Sequence, residues 1–365
     1  VAIVGAGAVG LLLACLLARR GLDVVVLERR RSPGGRTRAI GIHPPGLAAL
    51  DAAGVGAELR DAATPILRGV ALCRGEELGR LTFDSPVLSV PQQRTEELLE
   101  RRLAALAPGA LRRGVAVTDV RQRRSLVELA VDGVDEPLRA RVCVGADGTR
   151  STVRRRLGVA WRPRPGSAHY AMVDAASEDG GPPDAALLHL EPEGVVESFP
   201  LPEGRRRWVV RLPHRAAPAP EEFADLIARR VGAAIPATSV PSAFTARQHV
   251  AATFARGRVV LAGDAAHEVS PIGGQGMNLG WLDALHLDRA IASGLRAGSP
   301  TPRLRRWARR RRAAARRATR RALFNMTMGA PATGPLLGAR NALVRVLTRG
   351  PAATLLARMF TMRGL

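Results

Sequence analysis

The sequence predicts an α/β protein in which a parallel-sheet unit is split along the chain, an antiparallel sheet is inserted into it, and helices close the C-terminus. Three observations carry this. The first 28 residues read strand, glycine-rich turn, helix, strand; two later apolar runs each end on an aspartate-bearing turn, at Asp147 and Asp264; and residues 161–248 alternate apolar with polar side chains. At 365 residues the chain is long enough for two units of roughly 150 residues or more. Its 46% apolar and 24% charged content is that of an ordinary globular chain, which excludes disordered and fibrous classes.

Val1–Val4 forms the first strand, and GAGAVG then supplies Gly5, Gly7 and Gly10. A helix follows through LLLACLLARR to Gly21, and DVVVLE is a second strand ending on Glu28. The three glycines have separate physical roles. Gly5 allows the sharp turn, Gly7 lets backbone approach a pyrophosphate, and Gly10 lets helix pack close on strand. The helix N-terminus offers unpaired N–H groups and a positive dipole end to phosphates. Glu28, 18 residues after Gly10, is placed to accept both hydroxyls of an adenosine ribose. That favours FAD or NAD over NADP, whose 2′-phosphate it would repel, and leaves FAD and NAD both open.

Further on, a strand around Arg141–Val144 precedes GADGTRSTVRRRLG, with Asp147 and Gly148 at the turn and Ser151 starting a helix. The strand VVLAG ends on Asp264, ahead of Ala265, Ala266 and His267. In SPIGGQGMNLGWLDALHL, Gly273, Gly274 and Gly276 then loosen a turn before an amphipathic helix. One strand-ending Asp is ordinarily a turn former or helix cap. Three motifs in this order are far more specific.

Through these motifs the chain resembles the FAD-dependent aromatic hydroxylases, the class A flavoprotein monooxygenases with the para-hydroxybenzoate hydroxylase fold, over nearly its whole length. The resemblance implies a discontinuous Rossmann-like FAD-binding domain over residues 1–65, 91–160 and 249–322. It also implies an inserted antiparallel-sheet substrate domain over 66–90 and 161–248, and C-terminal helical closure over 323–365. Gly5, Gly7, Ala8, Gly10, Glu28 and Arg29 would hold the ADP half of FAD, and Asp264 the ribityl chain. Asp147 lies in a motif associated in the family with FAD and nicotinamide pyrophosphate contacts. Pro271, Gly273, Gly274, Gly276, Met277 and Asn278 would lie beside the flavin, where N–H groups and a helix dipole stabilise charge at N1 and O2. Arg38, and after it Arg36, would meet the pyrophosphate; Gln92, and after it Arg94, would contact the cofactor from PQQRTEELL; FPLPEG resembles the segment near flavin and substrate.

The activity so implied is a hydroxylation: NADH or NADPH reduces FAD, oxygen adds at flavin C4a, and the hydroperoxide delivers one oxygen atom to an electron-rich ring. A polycyclic or polyketide-derived aromatic is the expected substrate class. The chain carries no second complete G-x-G-x-x-G unit, as in a family without a separate nicotinamide domain, and no thioredoxin-like extension is expected after the closing helices. No base is marked for deprotonating a phenol: His43, His169, His189, His249 and His267 are available, and a lone His is more often structural. His267 follows Asp264 closely enough to orient its loop, and the single tyrosine, Tyr170, carries no catalytic context. The oligomeric state is left open.

Cys15, Cys73 and Cys143 are too scattered for a disulfide framework, a zinc site or a redox pair, so no metal and a reducing, cytoplasmic setting are expected. Nothing at the start resembles a secretory signal, and the longest apolar run, Leu11–Ala18, is far below the roughly 20 residues a membrane span needs. The net charge is +23 and every basic residue is Arg, a chain-wide bias rather than a site-specific one. Arg303–Arg321 holds 11 Arg and no acid. A solvated helix face is expected there, with Leu304, Trp307, Ala308, Ala314, Ala315, Ala318 and Ala322 turned inward. Binding to an anionic surface is the alternative, and 3% aromatic content argues against nucleic-acid stacking. Flavin halogenases need a lysine and W-x-W-x-I-P, and disulfide reductases a cysteine pair, all absent; isoprenoid double-bond reductases remain the nearest enzymatic rival.

Overall fold

The computed structural model describes residues 1–34, 39–176 and 181–364. Apolar runs too short to cover both faces of a sheet alone assemble in the middle of the molecule. A six-stranded sheet runs in the order Ala255–Arg256, Val259–Leu261, Cys143–Gly145, Ala2–Val4, Val25–Glu28 and Leu111–Arg113. Its pairs are parallel except at the Ala255–Arg256 edge. Ala2–Val4 sits between Val25–Glu28 and Cys143–Gly145, so the chain leaves the first strand to one side and returns on the other. The crevice beyond the carboxyl ends of such strands is where open α/β sheets bind ligands.

The first helix is Ala8–Ala18, and the chain turns at Gly21 with φ 72°. Leu11, Leu12, Leu13 and Leu17 are fully enclosed, packed between the sheet and the helices Gln92–Leu106 and Gln275–Arg296.

The inserted sheet has eight strands, ordered Ser242–Ala246, Ala168–Ala176, Arg205–Leu212, Gly194–Pro200, Ala185–Glu191, Thr64–Cys73, Glu76–Ser89 and Gly41–Ile42. Alternation in the sequence predicts antiparallel strands throughout; Ala185–Glu191 instead pairs parallel with Thr64–Cys73, because those two strands come from separate stretches of chain and are not joined by a hairpin. One face is covered by the helix Pro220–Val231, whose Phe223 and Ile227 pack on Val173, Val196, Trp208 and Val210. The opposite face looks toward the glycine turn.

A three-stranded antiparallel sheet, Val117–Gln122, Val127–Val131 and Val134–Ala140, was not expected. Its signal was present: Asp132–Gly133 between two apolar runs is a two-residue hairpin turn, with Gly133 at φ 71°. Another small sheet ties Trp161–Pro163 to His249–Ala251 and His267–Glu268, stapling both ends of the insert beside the Asp264 turn.

Three helices close the chain, Thr301–Met328, Gly334–Leu347 and Gly350–Phe360. All seven apolar residues expected to turn inward from the Arg-rich segment are buried. Arg309, Arg310, Arg316 and Arg317 face solvent, but Arg311 is buried, against the expectation of a wholly solvated basic face. Among the described residues no helix is long and apolar enough to cross a membrane.

Candidate active site

Close packing at the first turn explains two of its glycines. Gly5 has φ 106°, and a Cβ there would lie 2.4 Å from the Ala146 carbonyl oxygen. A Cβ on Gly10 would lie 2.0 Å from the Gly5 carbonyl oxygen. Gly7 differs: its nearest neighbour would be a Glu96 carboxylate oxygen at 3.9 Å, so this face is open to a ligand. It also N-caps the first helix with no side chain to satisfy the N–H groups. One of them, at Ala8, donates to Glu96 Oε1 at 3.1 Å, and Gln92 Nε2 donates to the same oxygen at 2.8 Å.

Glu28 is buried at the end of its strand. Its Oε2 accepts from the Ala6 N–H at 2.9 Å, and its Oε1 from the Arg30 N–H at 2.9 Å and Arg30 Nε at 3.0 Å. Burial alone would raise this carboxyl, but the Arg30 guanidinium and the two N–H groups outweigh it and hold the group below its usual range.

The two aspartate turns are built differently. Asp147 Oδ1 accepts from the Ser151 hydroxyl at 2.5 Å, and Oδ2 from the Thr152 and Val153 N–H groups at 2.6 and 3.1 Å. Ser151 Oγ in turn accepts from the Arg154 N–H, so Asp147 and Ser151 cap the short helix Thr152–Arg156. Asp147 thus shapes the turn while its neighbours Ala146, Gly148 and Thr149 face the cavity. Arg154, stacked on Trp161, donates to the Ala265 and Thr149 carbonyls and so ties one aspartate turn to the other.

Beneath Asp264 lies a network the sequence did not announce. Asp283, fully buried on the helix Gln275–Arg296, accepts from His267 Nε2 at 2.5 Å and the Gly263 N–H at 3.2 Å on one oxygen. Its other oxygen accepts from Arg311 Nε at 2.6 Å, and its carbonyl from Trp307 Nε1 at 3.2 Å. Burial opposes ionisation, yet the paired His267 and Arg311 keep the carboxyl below its ordinary range. The Gly263–Ala265 turn is thereby fixed with Asp264 on the cavity wall. His267 reaches this loop through Asp283.

The glycine loop brings Gly273 and Gly274 to φ 87° and 66°, conformations that L side chains seldom adopt, and Gly274 N-caps the long helix without a side-chain partner. Asn278 points inward: its Oδ1 accepts from the His43 N–H at 2.9 Å, and its Nδ2 donates to the Gly41 and Gly274 carbonyls at 2.8 and 3.0 Å. It staples the loop to the Gly41–His43 segment and does not line the cavity.

One cavity of about 720 Å³ joins all of this. It opens along Gly7 and Ala8, passes Gln92, Asp264 and the loop residues Pro271, Gly273, Gly274, Gly276 and Met277, and ends on the inserted sheet. Its far walls are apolar, from Ile66, Leu81, Phe83 and Phe199 to Phe324 and Phe360 of the closing helices. Of FPLPEG, only Phe199 lines it.

The sequence-derived residues therefore divide. Gly7, Ala8, Gln92, Asp264 and the five loop residues line the cavity; Gly5, Gly10, Asp147 and Asn278 shape its walls from behind. Glu28 and Arg29 do not line it, Arg29 being exposed, while Arg36 and Arg38 fall outside the described residues. Arg94 is exposed and pairs with Glu97 at 3.6 Å. Of the five histidines considered, only His43 lines the cavity, and burial pushes its imidazole down to about 4, so it is neutral near pH 7. Glu96, Asp283, Arg311 and Glu197 were missed. Glu96 could have been found, since it lies four residues after Gln92 on one helix face.

Several known proteins are similar to this chain. The 12-dehydrotetracycline 5-monooxygenase/anhydrotetracycline 6-monooxygenase of Streptomyces rimosus is 35% identical over 326 residues, covering 83% of this chain and 64% of that protein. A para-nitrophenol 4-monooxygenase of Pseudomonas sp. is 32% identical over 82% of this chain and 79% of that protein. The crystal structure of p-nitrophenol 4-monooxygenase from Pseudomonas putida aligns with a TM-score of 0.89 at 26% identity, covering 98% of this chain and 96% of that one. The chain spans between 56% and 65% of the length of the anhydrotetracycline, 6-methylpretetramide and rifampicin monooxygenases it matches. The profile of the FAD binding domain covers residues 1–322, the stretch that builds the glycine turn, both aspartate turns and the glycine loop, and the chain belongs to that family.

Proposed function

We propose that the chain is a flavin-dependent monooxygenase that uses NAD(P)H and O2 to hydroxylate an aromatic, polycyclic or polyketide-derived substrate. The observation that carries this is the single cavity running from the Gly7 turn, past the 271–277 loop, to an apolar chamber under the inserted sheet. A nucleotide-binding protein without a second substrate has no need of that chamber, whose size and lining suit a fused-ring ligand.

The residues present fit FAD. Gly7 leaves room where a Cβ would stand and supplies no capping side chain, so that, beyond the Ala8 N–H held by Glu96, the first turn of Ala8–Ala18 presents its N–H groups to a pyrophosphate. Glu28 is held ionised with lone pairs to spare for ribose hydroxyls. Asp264 would meet the ribityl chain, and the N–H groups of Gly273–Gly276 with the long helix dipole would face the electron-rich edge of the ring system. FAD, when bound, supplies electron transfer from the nicotinamide to O2. The chain's own part is to hold the ring at the chamber mouth, exclude water with Ile66, Leu81, Phe83 and Phe324, and orient the substrate.

We retain the division into a FAD-binding domain of 1–65, 91–160 and 249–322, a sheet domain of 66–90 and 161–248, and a closure of 323–365. The separate six- and eight-stranded sheets support its main division, while Gly41–Ile42 of the first segment joins the edge of the larger sheet and the helix Thr301–Met328 runs through the boundary at 322. A reducing, cytoplasmic setting is supported by three buried, unbridged cysteines.

The test is direct. Purified protein should release FAD on denaturation, and an aromatic substrate such as anhydrotetracycline should stimulate NAD(P)H oxidation with incorporation of one 18O atom from labelled O2. A colourless protein that cannot be reconstituted overturns the assignment. A saturated product formed anaerobically identifies the isoprenoid-reductase chemistry instead.

A further inference from the structure

A buried carboxylate with no partner is expensive, since an ion removed from water normally recovers that cost through a pair or hydrogen bonds. Glu197 is such a group. It is 4% exposed, lies on the cavity wall, and makes no hydrogen bond or ion pair among the described residues. The sheet aims it there. In register across four strands, Met172, Val209, Glu197 and Leu188 form one row continuing into Ala71 and Gly79, and all six line the chamber.

Its surroundings define what it could meet. On the adjacent strand stands Arg211, which donates to the Met326 carbonyl, and on the strand beyond it Tyr170, with a buried, unpartnered hydroxyl. Arg207 also lines the chamber but holds Asp174 through two bonds of 2.6 and 2.7 Å. Across the cavity are neutral His43, Asp264, Glu268 and the exposed Arg247. The Arg207 charge on the sheet is thus balanced locally, while that of Glu197 is balanced by no adjacent cation.

We propose that Glu197 accepts the hydroxyl proton of the substrate, so that the chamber selects a neutral phenol or enol and disfavours an aromatic carboxylate. This rests on the monooxygenase assignment above. The O–H bond of the substrate breaks, its electron pair stays on oxygen and enriches the ring for oxygenation, and Glu197 becomes a carboxylic acid. The proton returns to the product oxygen, leaving the balance unchanged. Burial pushes the Glu197 carboxyl up to about 7, the range in which a general base works near neutral pH.

The experiment uses the FAD-loaded full chain and compares Glu197→Gln and Glu197→Asp with the parent. Binding of 2-naphthol and 2-naphthoate is measured calorimetrically, without turnover. The parent should prefer naphthol; Glu197→Gln should weaken naphthol about 10- to 100-fold, the effect of losing a hydrogen bond to a charged group, and strengthen naphthoate. In turnover with anhydrotetracycline, kcat/KM should rise with pH through an apparent pKa near 7 in the parent. Glu197→Gln should lose that limb and Glu197→Asp regain part of it. Because Glu197→Gln removes an uncompensated buried charge, its Tm should not fall, whereas a structural role would lower it. Parent-like binding and an unaltered pH profile in Glu197→Gln, or a parent that prefers naphthoate, overturn the proposal. A parent without FAD or hydroxylation overturns instead the function on which it rests.

Discussion

Replacing Asp283 by Asn keeps the side-chain shape and removes one fully buried negative charge. Asp283 serves donors on both oxygens: His267 and the Gly263 N–H on one, Arg311 on the other. An amide has one carbonyl oxygen, so when it faces His267 and Gly263 its NH2 confronts the Arg311 Nε–H and strands a guanidinium that is only 5% exposed. Breaking a buried pair in this way costs about 3–5 kcal/mol. With an unfolding entropy of roughly 2.1 cal/mol/K per residue over 365 residues, that corresponds to a Tm lower by about 4–7 °C. Thermal unfolding followed by circular dichroism reads it. The combination of Asp283→Asn with Arg311→Met should recover most of the loss, because the stranded cation is gone while the amide oxygen still serves Gly263 and His267. A Tm of Asp283→Asn within about 1 °C of the parent, or a double variant that loses the sum of both single effects, would refute the reasoning.

Three other outcomes follow from the geometry. Gly7→Ala should fold with parent-like circular dichroism yet lose FAD affinity by at least tenfold, since its Cβ meets only Glu96 at 3.9 Å, whereas Gly10→Ala, with a Cβ 2.0 Å from a carbonyl oxygen, should destabilise the fold itself. Equal FAD titrations for Gly7→Ala and parent would contradict this. Glu28 has a folded-state pKa below its ordinary 4.5, so its contribution is present above pH 4.5 and is lost as pH falls through the folded value. Glu28→Gln should therefore flatten the acid limb of urea-measured stability and leave its shape above about pH 6 unaltered. Finally, replacing the exposed Arg309, Arg310, Arg316 and Arg317 with Gln should leave Tm and FAD content unchanged. The same change with Arg311 added should unfold several degrees earlier, and a drop in the fourfold variant alone would contradict the packing of that helix.

The parts of the molecule that sequence predicted well are those governed by local backbone constraint. A strand running into Gly5, Gly7 and Gly10 has few other uses: the turn at Gly5 and the close helix at Gly10 leave no room for a Cβ, while Gly7 keeps its face open, and this is legible residue by residue. The inward face of Thr301–Met328 was equally legible, since helical spacing alone brings Trp307, Ala308, Ala315 and Ala322 to one side. Asp147 and Asp264 look alike as strand-ending acids, yet only the structure separates a helix cap from a cavity wall, because that depends on which N–H groups lie within reach.

What sequence could not supply lies in contacts between distant elements. Asp283 and Arg311 sit on two helices whose charged residues otherwise read as solvated, and their pairing exists only because those helices pack together against the sheet. Glu197 is the clearest case. In an alternating strand a polar residue normally marks the wet face, but here Pro220–Val231 covers one side of the sheet and the chamber lies under the other, so neither face is open water. The chain alone thus determined that a dinucleotide would be held, through glycines whose spacing is local. The tertiary structure decided which acid faces the substrate, because burial and register are properties of the assembled sheet.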